Sequence, residues 1–207
     1  MTAIISLLNL NLVTRAYSHW VRFLLLMRGV QVGHNFTARA LPILVKDATS
    51  QIVIGDDVIL KDRVDLRALK GAVLTLENGV RLDKDVRIVA TNGAQVRFCE
   101  KADIGCNTIF NCGTDVYVGR DVLVAGFCYV QTSGHNIARG ETIQSQGYTH
   151  KPIHIGEDCW LGGGAFVLPG VTLGTGVVVG ANSLVNKDVP DYQIVAGSPA
   201  VFRSQRQ

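Results

Sequence analysis

Residues Ile153–Pro199 read IHIGEDCWLGGGAFVLPGVTLGTGVVVGANSLVNKDVPDYQIVAGSP, and this stretch decides the fold. Taken in sixes from Ile155, it opens each block on an aliphatic residue: Ile155, Leu161, Val167, Leu173, Val179 and Val185. Small or aliphatic residues return four positions later, at Cys159, Ala165, Val171, Val177, Ser183 and Val189. A helix of 3.6 period or a simple strand alternation does not keep such blocks in phase. A short period sustained this far indicates a stacked solenoid, whose function is to be sought where coils or subunits meet.

The same plan extends upstream. QIVIGDDV (51–58), VLTLENGV (73–80), QVRFCEKA (95–102), DVYVGRDV (115–122) and PIHIGEDC (152–159) share an aliphatic or aromatic opener and a small inward residue four further on. The openers Ile54, Leu76 and Phe98 are 22 apart, and Val118 follows at 20. A spacing of 22 equals three hexapeptides plus a four-residue bulge, within which Ala68/Ala90 and Gly71/Gly93 repeat. Between Val130 and Ile153 the phase breaks into a polar, turn-rich run, which predicts a loop over 131–152 projecting from the stack.

With 47% hydrophobic and 18% charged residues, the 207-residue chain has ample material for a core. Its 22 glycines are spread along the chain, as tight coil corners require. The five cysteines (99, 106, 112, 128 and 159) are odd in number and lack C-x-x-C spacing, so they read as reduced core residues in a reducing compartment. The net charge of +3 hides an asymmetry: residues 1–46 hold Arg15, Arg22, Arg28, Arg39 and Lys46 and no acid. No aromatic-interleaved basic tract points to nucleic acid; the basic end suits anionic lipid or an anionic substrate.

Residues 3–28 predict a helix, rich in Leu and stopped at Gly29, with a polar stripe of Asn11, Arg15, Ser18, His19 and Arg22 on an otherwise apolar circumference. Its longest uncharged run, the first 14 residues, is short of the roughly 20 needed to span a bilayer. A basic n-region and a cleavage signature are missing, which argues against a signal peptide. Two readings remain: a cap over the open end of the solenoid, or a helix lying in a membrane surface.

Chemistry is expected at the break in the repeat. His135, in Ser133-Gly134-His135-Asn136, stands where the coils end. It is either a surface histidine or a general base for an alcohol, a task suited to an imidazole. His150 and His154 flank Lys151-Pro152, and His154 should point away from the core. Neither shows the close in-coil arrangement of a three-His metal site, so no metal is expected. Asn111 is polar among apolar neighbours one coil earlier, either a corner-ladder residue or a contact for a ligand. Trp160 takes an outward or corner position that calls for cover by a ligand or a partner chain.

The phrases K-P-I-H-I-G-E-D-C-W-L-G-G, V-L-P-G-V-T-L-G, V-V-G-A-N-S-L-V-N-K-D-V-P and I-V-A-G-S-P-A resemble the bacterial hexapeptide-repeat acyltransferases, in the style of the maltose/galactoside and surface-polysaccharide O-acetyltransferases. The resemblance covers roughly residues 30–203. It implies a left-handed parallel β-helix, an exception to right-handed crossovers, assembled as a homotrimer with acetyl-CoA and acceptor between neighbours. It implies His135 as catalytic base, although the family usually has His-Pro where this chain has His135-Asn136. Asn111 and Trp160 would contact the acceptor, and Trp160, Gly163, Ala181 and Lys187 the donor. The ending P-A-V-F-R departs from the usual P-A-K-V-I-R and leaves Arg203 as the basic residue for the CoA phosphates.

Together these readings give an all-β solenoid: a helical segment (1–32), a β-helix (33–190) with loop 131–152, and a tail (191–207). The expected function is transfer of acetyl from acetyl-CoA to a sugar hydroxyl of a surface polysaccharide or its precursor. The expected location is cytoplasmic, with peripheral membrane contact through residues 1–28 left open. The alternatives are N-acylation of a nucleotide-linked amino sugar and a non-catalytic β-helix scaffold.

Overall fold

The computed structural model describes residues 2–207, with side chains from Leu12 onward. The body is a left-handed parallel β-helix of seven turns, the architecture expected from the sequence. Each turn gives one strand to each of three faces. The first face runs from Gln31–Val32 to Thr172–Leu173, the second from Thr37–Ala38 to Val178–Val179, and the third from Ile43–Lys46 to Leu184–Val185.

The periodic openers form one vertical column. Val32, Ile54, Leu76, Phe98, Val118, Ile155 and Leu173 stand in register on the first face. All are buried, as are the residues four positions on. Phe98 and Phe110 meet edge to face inside the prism, with centroids 4.8 Å apart. Each fully buried Leu, Ile or Phe contributes about 1.5–3 kcal/mol relative to exposure, packing within its own turn and against the neighbouring turns.

The four extra residues of the 22-residue turns do not form a bulge. They lengthen the first- and third-face strands to four residues, as in Asp65–Ala68 and Val73–Leu76, and add the inward Ala68 and Leu74. Second-face strands keep two residues throughout, up to Val178–Val179. In the last turn, Thr172–Leu173 and Leu184–Val185 are also two residues long, so the prism narrows toward its C-terminal end. Outside, ion pairs link successive turns, including Lys61–Asp83 at 2.9 Å and Arg63–Asp85 at 2.5 Å.

Helix α1 (Thr2–Met27) closes the N-terminal end. Gly29, at φ 71°, ends it in a Schellman arrangement: its N–H donates to Leu26 O (2.9 Å) and that of Val30 to Leu25 O (3.1 Å). The polar stripe is split. Ser18 is buried, accepting the Ala38 N–H (3.0 Å), and Arg22 donates to Gly33 O (2.9 Å) and Val32 O (3.0 Å). Arg15 and His19 are exposed, and the side chain of Asn11 lies outside the described residues. No helix among the described residues is long and apolar enough to cross a membrane. At the other end Gln193–Ala196 extends the second face, and Val201–Gln205 pairs antiparallel along it.

Candidate active site

The run between the fifth and sixth turns is more ordered than a polar loop. Ser133–His135 and Tyr148–His150 form an antiparallel hairpin, with a short 3-10 turn at Ile143–Ser145 between them. Thr132 anchors the root at the corner between third and first faces. Its buried Oγ1 accepts the Gly113 N–H (2.8 Å), and its carbonyl accepts the Lys151 N–H (2.9 Å). Ser133 Oγ and His150 Nδ1 stand 2.7 Å apart, tying the two strands together.

His135 ends the outgoing strand and is exposed. Its ring meets Tyr148 at 4.3 Å between centroids, tilted by 39°. Among the described residues, its ring nitrogens have no hydrogen-bond partner, so both are free to meet a ligand. The next residue holds the hairpin: Asn136 Oδ1 accepts from Thr149 Oγ1 (2.5 Å), and Nδ2 donates to Gln146 O (2.9 Å). This gives a local role to the asparagine that follows His135.

Asn111 lies one turn below, on the third face, in register with Gln131. Gln131 Nε2 donates to Ser133 O (2.5 Å), and Asn111 O accepts the Thr132 N–H (3.2 Å). The Asn111 side-chain amide has no partner among the described residues. The structure therefore groups Asn111 with the root of the hairpin that carries His135.

Trp160, Gly163 and Ala181 belong elsewhere. Trp160 starts a second-face strand, in register with Leu123 and Val178, and is half exposed at 50%. Gly163 and Ala181 lie in successive loops at the corner between second and third faces. The turns stack tightly here: a Cβ on Gly162 would stand 2.6 Å from Ala181 N, whereas one on Gly163 would meet Gly126 O at 3.5 Å. The N–H groups of Gly163 and Ala181 find no acceptor among the described residues, leaving two unpaired donors at the corner. Among the described residues, no hydrogen bond or ring contact joins this corner, or Trp160, to the hairpin.

Arg203 shares the second-face side with Trp160, on the antiparallel strand Val201–Gln205, and makes no ion pair among the described residues. Its neighbour Arg206 is engaged, donating to Asp158 Oδ2 (2.8 Å). Lys187 stands apart from Gly163 and Ala181. It follows the last third-face strand, at the corner from which the hairpin leaves, and lines a cavity of about 360 Å³ with Pro199 and Phe202.

The cysteines are all free, and all but Cys106 are buried. Burial pushes the Cys159 thiol up to about 11 and raises Cys112 and Cys128 as well. Cys128 Sγ lies 3.3 Å from Gly162 O, and Cys159 Sγ 3.0 Å from Gly174 O. Thiols held this way are poor nucleophiles. His154 points outward, as expected, and stacks on Tyr117 at 4.6 Å. Among the described residues, no group of three or more His, Cys, Asp or Glu side chains is placed to hold a metal ion.

Sequence reading passed over Phe127 and Tyr148. Phe127 sits in the same corner loop as Gly126, at φ 63° and 68% exposed. The equivalent left-handed position is Arg63, Asp85, Asn107, Gly164 or Asn182 in other turns, and all but Arg63 are residues that adopt it readily. A bulky ring there carries strain of about 1–3 kcal/mol, of a kind that gathers at ligand sites. The signal was present: an aromatic where most turns place Asp, Asn or Gly. Tyr148 gave no comparable signal, because its contact with His135 depends on a pairing the period does not encode.

A family model, bacterial transferase hexapeptide (six repeats), matches residues 152–187. A probable acetyltransferase of Mycobacterium tuberculosis is 29% identical over 206 residues, covering 95% of this chain and 61% of that protein. The galactoside O-acetyltransferase of Lactococcus lactis is 37% identical over 90 residues, 44% of this chain and 43% of that protein. The chain thus spans about half the length of these curated relatives. Two solved structures share the fold. The polySia-specific acetyltransferase NeuO has TM-score 0.59 at 24% identity, over 86% of this chain and 85% of its own. AntD, an N-acyltransferase from Bacillus cereus solved with dTDP and 3-hydroxybutyryl-CoA, has TM-score 0.57 at 17% identity, over 90% and 88%. The resemblance to the bacterial hexapeptide-repeat acyltransferases read from the sequence is borne out, in the repeat, in the fold and in relatives named as acetyltransferases.

Proposed function

We propose that the protein is an acetyl-CoA-dependent O-acetyltransferase acting on a sugar hydroxyl of a surface glycan or its precursor, working as a cytoplasmic homotrimer with residues 1–28 in peripheral contact with a membrane. One observation carries the catalytic reading. His135 and Asn111 gather at one corner, while Trp160, Gly163, Ala181 and Arg203 lie around another, with no hydrogen bond or ring contact between the groups among the described residues. A site made of both groups is completed between copies. One copy supplies His135, Asn111 and Lys187, and its neighbour supplies Trp160, Gly163, Ala181 and Arg203.

In this reading a free ring nitrogen of His135 takes the proton of the acceptor hydroxyl as the oxygen attacks the thioester carbonyl. Unpaired corner N–H groups stabilise the oxyanion. The C–S bond then breaks, and the imidazolium returns the proton to the CoA sulfur. Asn111 orients the acceptor, Trp160 covers acceptor and pantetheine arm, and Arg203 and Lys187 meet the CoA phosphates. The buried thiols support direct transfer without an acyl-enzyme.

The test joins calorimetry with acetyl-CoA, sedimentation for assembly, and turnover against a panel of sugars. Trimeric mass, saturable CoA binding and hydroxyl acetylation lost in His135→Ala are expected. Full activity in that variant would overturn the role of His135. Failure to bind CoA would favour a scaffold, and preference for a nucleotide-linked amino sugar would favour N-acylation.

A further inference from the structure

The outer arc of α1 is apolar: Leu12, Ala16, Trp20, Phe23 and Met27, at spacings of four, four, three and four, are all exposed. The arc packed on the first turn is partly polar, with Thr14, Ser18, Val21 and Leu25. Along the seam between the two arcs run Arg15, His19 and Arg22. There a cleft of about 530 Å³ opens against the first coil, lined by these three residues with His34, Asn35 and Thr37.

The cleft is built for an anion. None of its lining residues is acidic, and no Asp or Glu occurs before Asp47. The Arg15, His19 and His34 side chains are exposed and have no hydrogen-bond or ion-pair partner among the described residues. Arg22 is fixed by Val32 O and Gly33 O, which gives the cleft one rigid cation. The carboxylate nearest by chain contact, Asp56, accepts the His34 backbone N–H (2.6 Å). Guanidinium groups pair closely with phosphate oxygens. An amphipathic helix in a membrane surface buries its apolar arc at the acyl boundary and holds its flank at headgroup depth.

We propose that this cleft binds the phosphate of an anionic phospholipid headgroup, with the Trp20–Phe23 arc seated in the interface beside it. The proposal rests on the reading that residues 1–28 contact a membrane, and adds to it a specific headgroup site.

The experiment is cosedimentation of the full chain with vesicles of phosphatidylcholine alone and of a phosphatidylcholine–phosphatidylglycerol mixture. Binding to the mixture should be stronger by about tenfold, given the attraction of each basic residue near an anionic surface. Arg15→Gln with His34→Gln should remove most of that difference and leave binding to phosphatidylcholine unchanged. Arg28→Gln with Arg39→Gln, which removes charge outside the cleft, should remove less; equal losses from the two pairs would overturn the site. Trp20→Asp with Phe23→Asp should abolish binding to both vesicles. If the unmodified chain binds both compositions equally, the headgroup site falls and membrane contact stands; if it binds neither, both fall. A change of oligomeric mass in the Trp20→Asp, Phe23→Asp variant would assign the arc to a second copy and overturn the proposal. Saturable uptake of inorganic phosphate without vesicle preference would place a soluble anion in the cleft and overturn the lipid. Should the cleft variants unfold, a blue shift of Trp20 emission in a Trp160→Phe background reports the same composition dependence with the cleft intact.

Discussion

Two corners of one prism follow opposite rules. The corner between second and third faces keeps four residues in turn after turn, as in 83–86, 105–108, 125–128, 162–165 and 180–183. The corner between third and first faces varies: it has four residues at 47–50, 69–72, 91–94 and 168–171, three at 113–115, and carries a hairpin after the fifth turn. A corner of fixed length stacks the same backbone positions turn upon turn, suited to a long ligand lying along it. A corner of free length accepts insertions at little cost to the stack, suited to a part that differs with the acceptor. In the proposed enzyme, donor binding belongs to the first and chemistry and acceptor choice to the second.

The sharpest way to break this division is His135→Ala. Turnover should fall by ~10²–10⁴-fold in steady-state assays, while calorimetry shows acetyl-CoA binding intact. A parallel loss of CoA affinity would merge the two corners into one role. Next, Gly162→Ala forces a Cβ toward Ala181 N, 2.6 Å away, and should destabilise the fold by about 1–3 kcal/mol in denaturant titrations. Gly163→Ala meets only the 3.5 Å contact with Gly126 O, so stability should hold. Its CoA affinity should drop by about tenfold, equivalent to about 1.4 kcal/mol, if Gly163 lines the groove. The smallest effect should come from Ser133→Ala, which removes the contact with His150. About 0.5–1.5 kcal/mol of local stability should be lost, read as faster amide exchange in the hairpin with the prism unchanged.

The stack was legible because a β-helix repeats its inward positions in sequence. Ile155 to Val185 are all inward, and Ile54, Leu76, Phe98 and Val118 pair as their spacings of 22 and 20 require. The hairpin was legible only as a break. Its strands have no buried face, so Ser133–His135 and Tyr148–His150 leave no alternation to read. The Ser133–His150 contact joins residues 17 apart through a pairing that no local rule announces. The orientation of α1 escaped for a different reason. The first coil presents the Ala38 N–H and the carbonyls of Val32 and Gly33 at an open end, and these require polar partners. Ser18 and Arg22 therefore turn inward, and apolar residues that a helix ordinarily buries turn out.

The narrowing of the prism has a consequence for self-association. A parallel coil of constant cross-section exposes at each end a ladder that matches the other end of an identical molecule, and head-to-tail stacking of that kind grows into filaments. Here the leading coil has a four-residue strand on the third face alone, at Ile43–Lys46, while the trailing end has two-residue strands at Thr172–Leu173 and Leu184–Val185 and its four-residue strand, Gln193–Ala196, on the second face. The two ends are mismatched templates. Unequal ends of this kind oppose head-to-tail stacking, alongside the helix that covers one end and the strand that flanks the other.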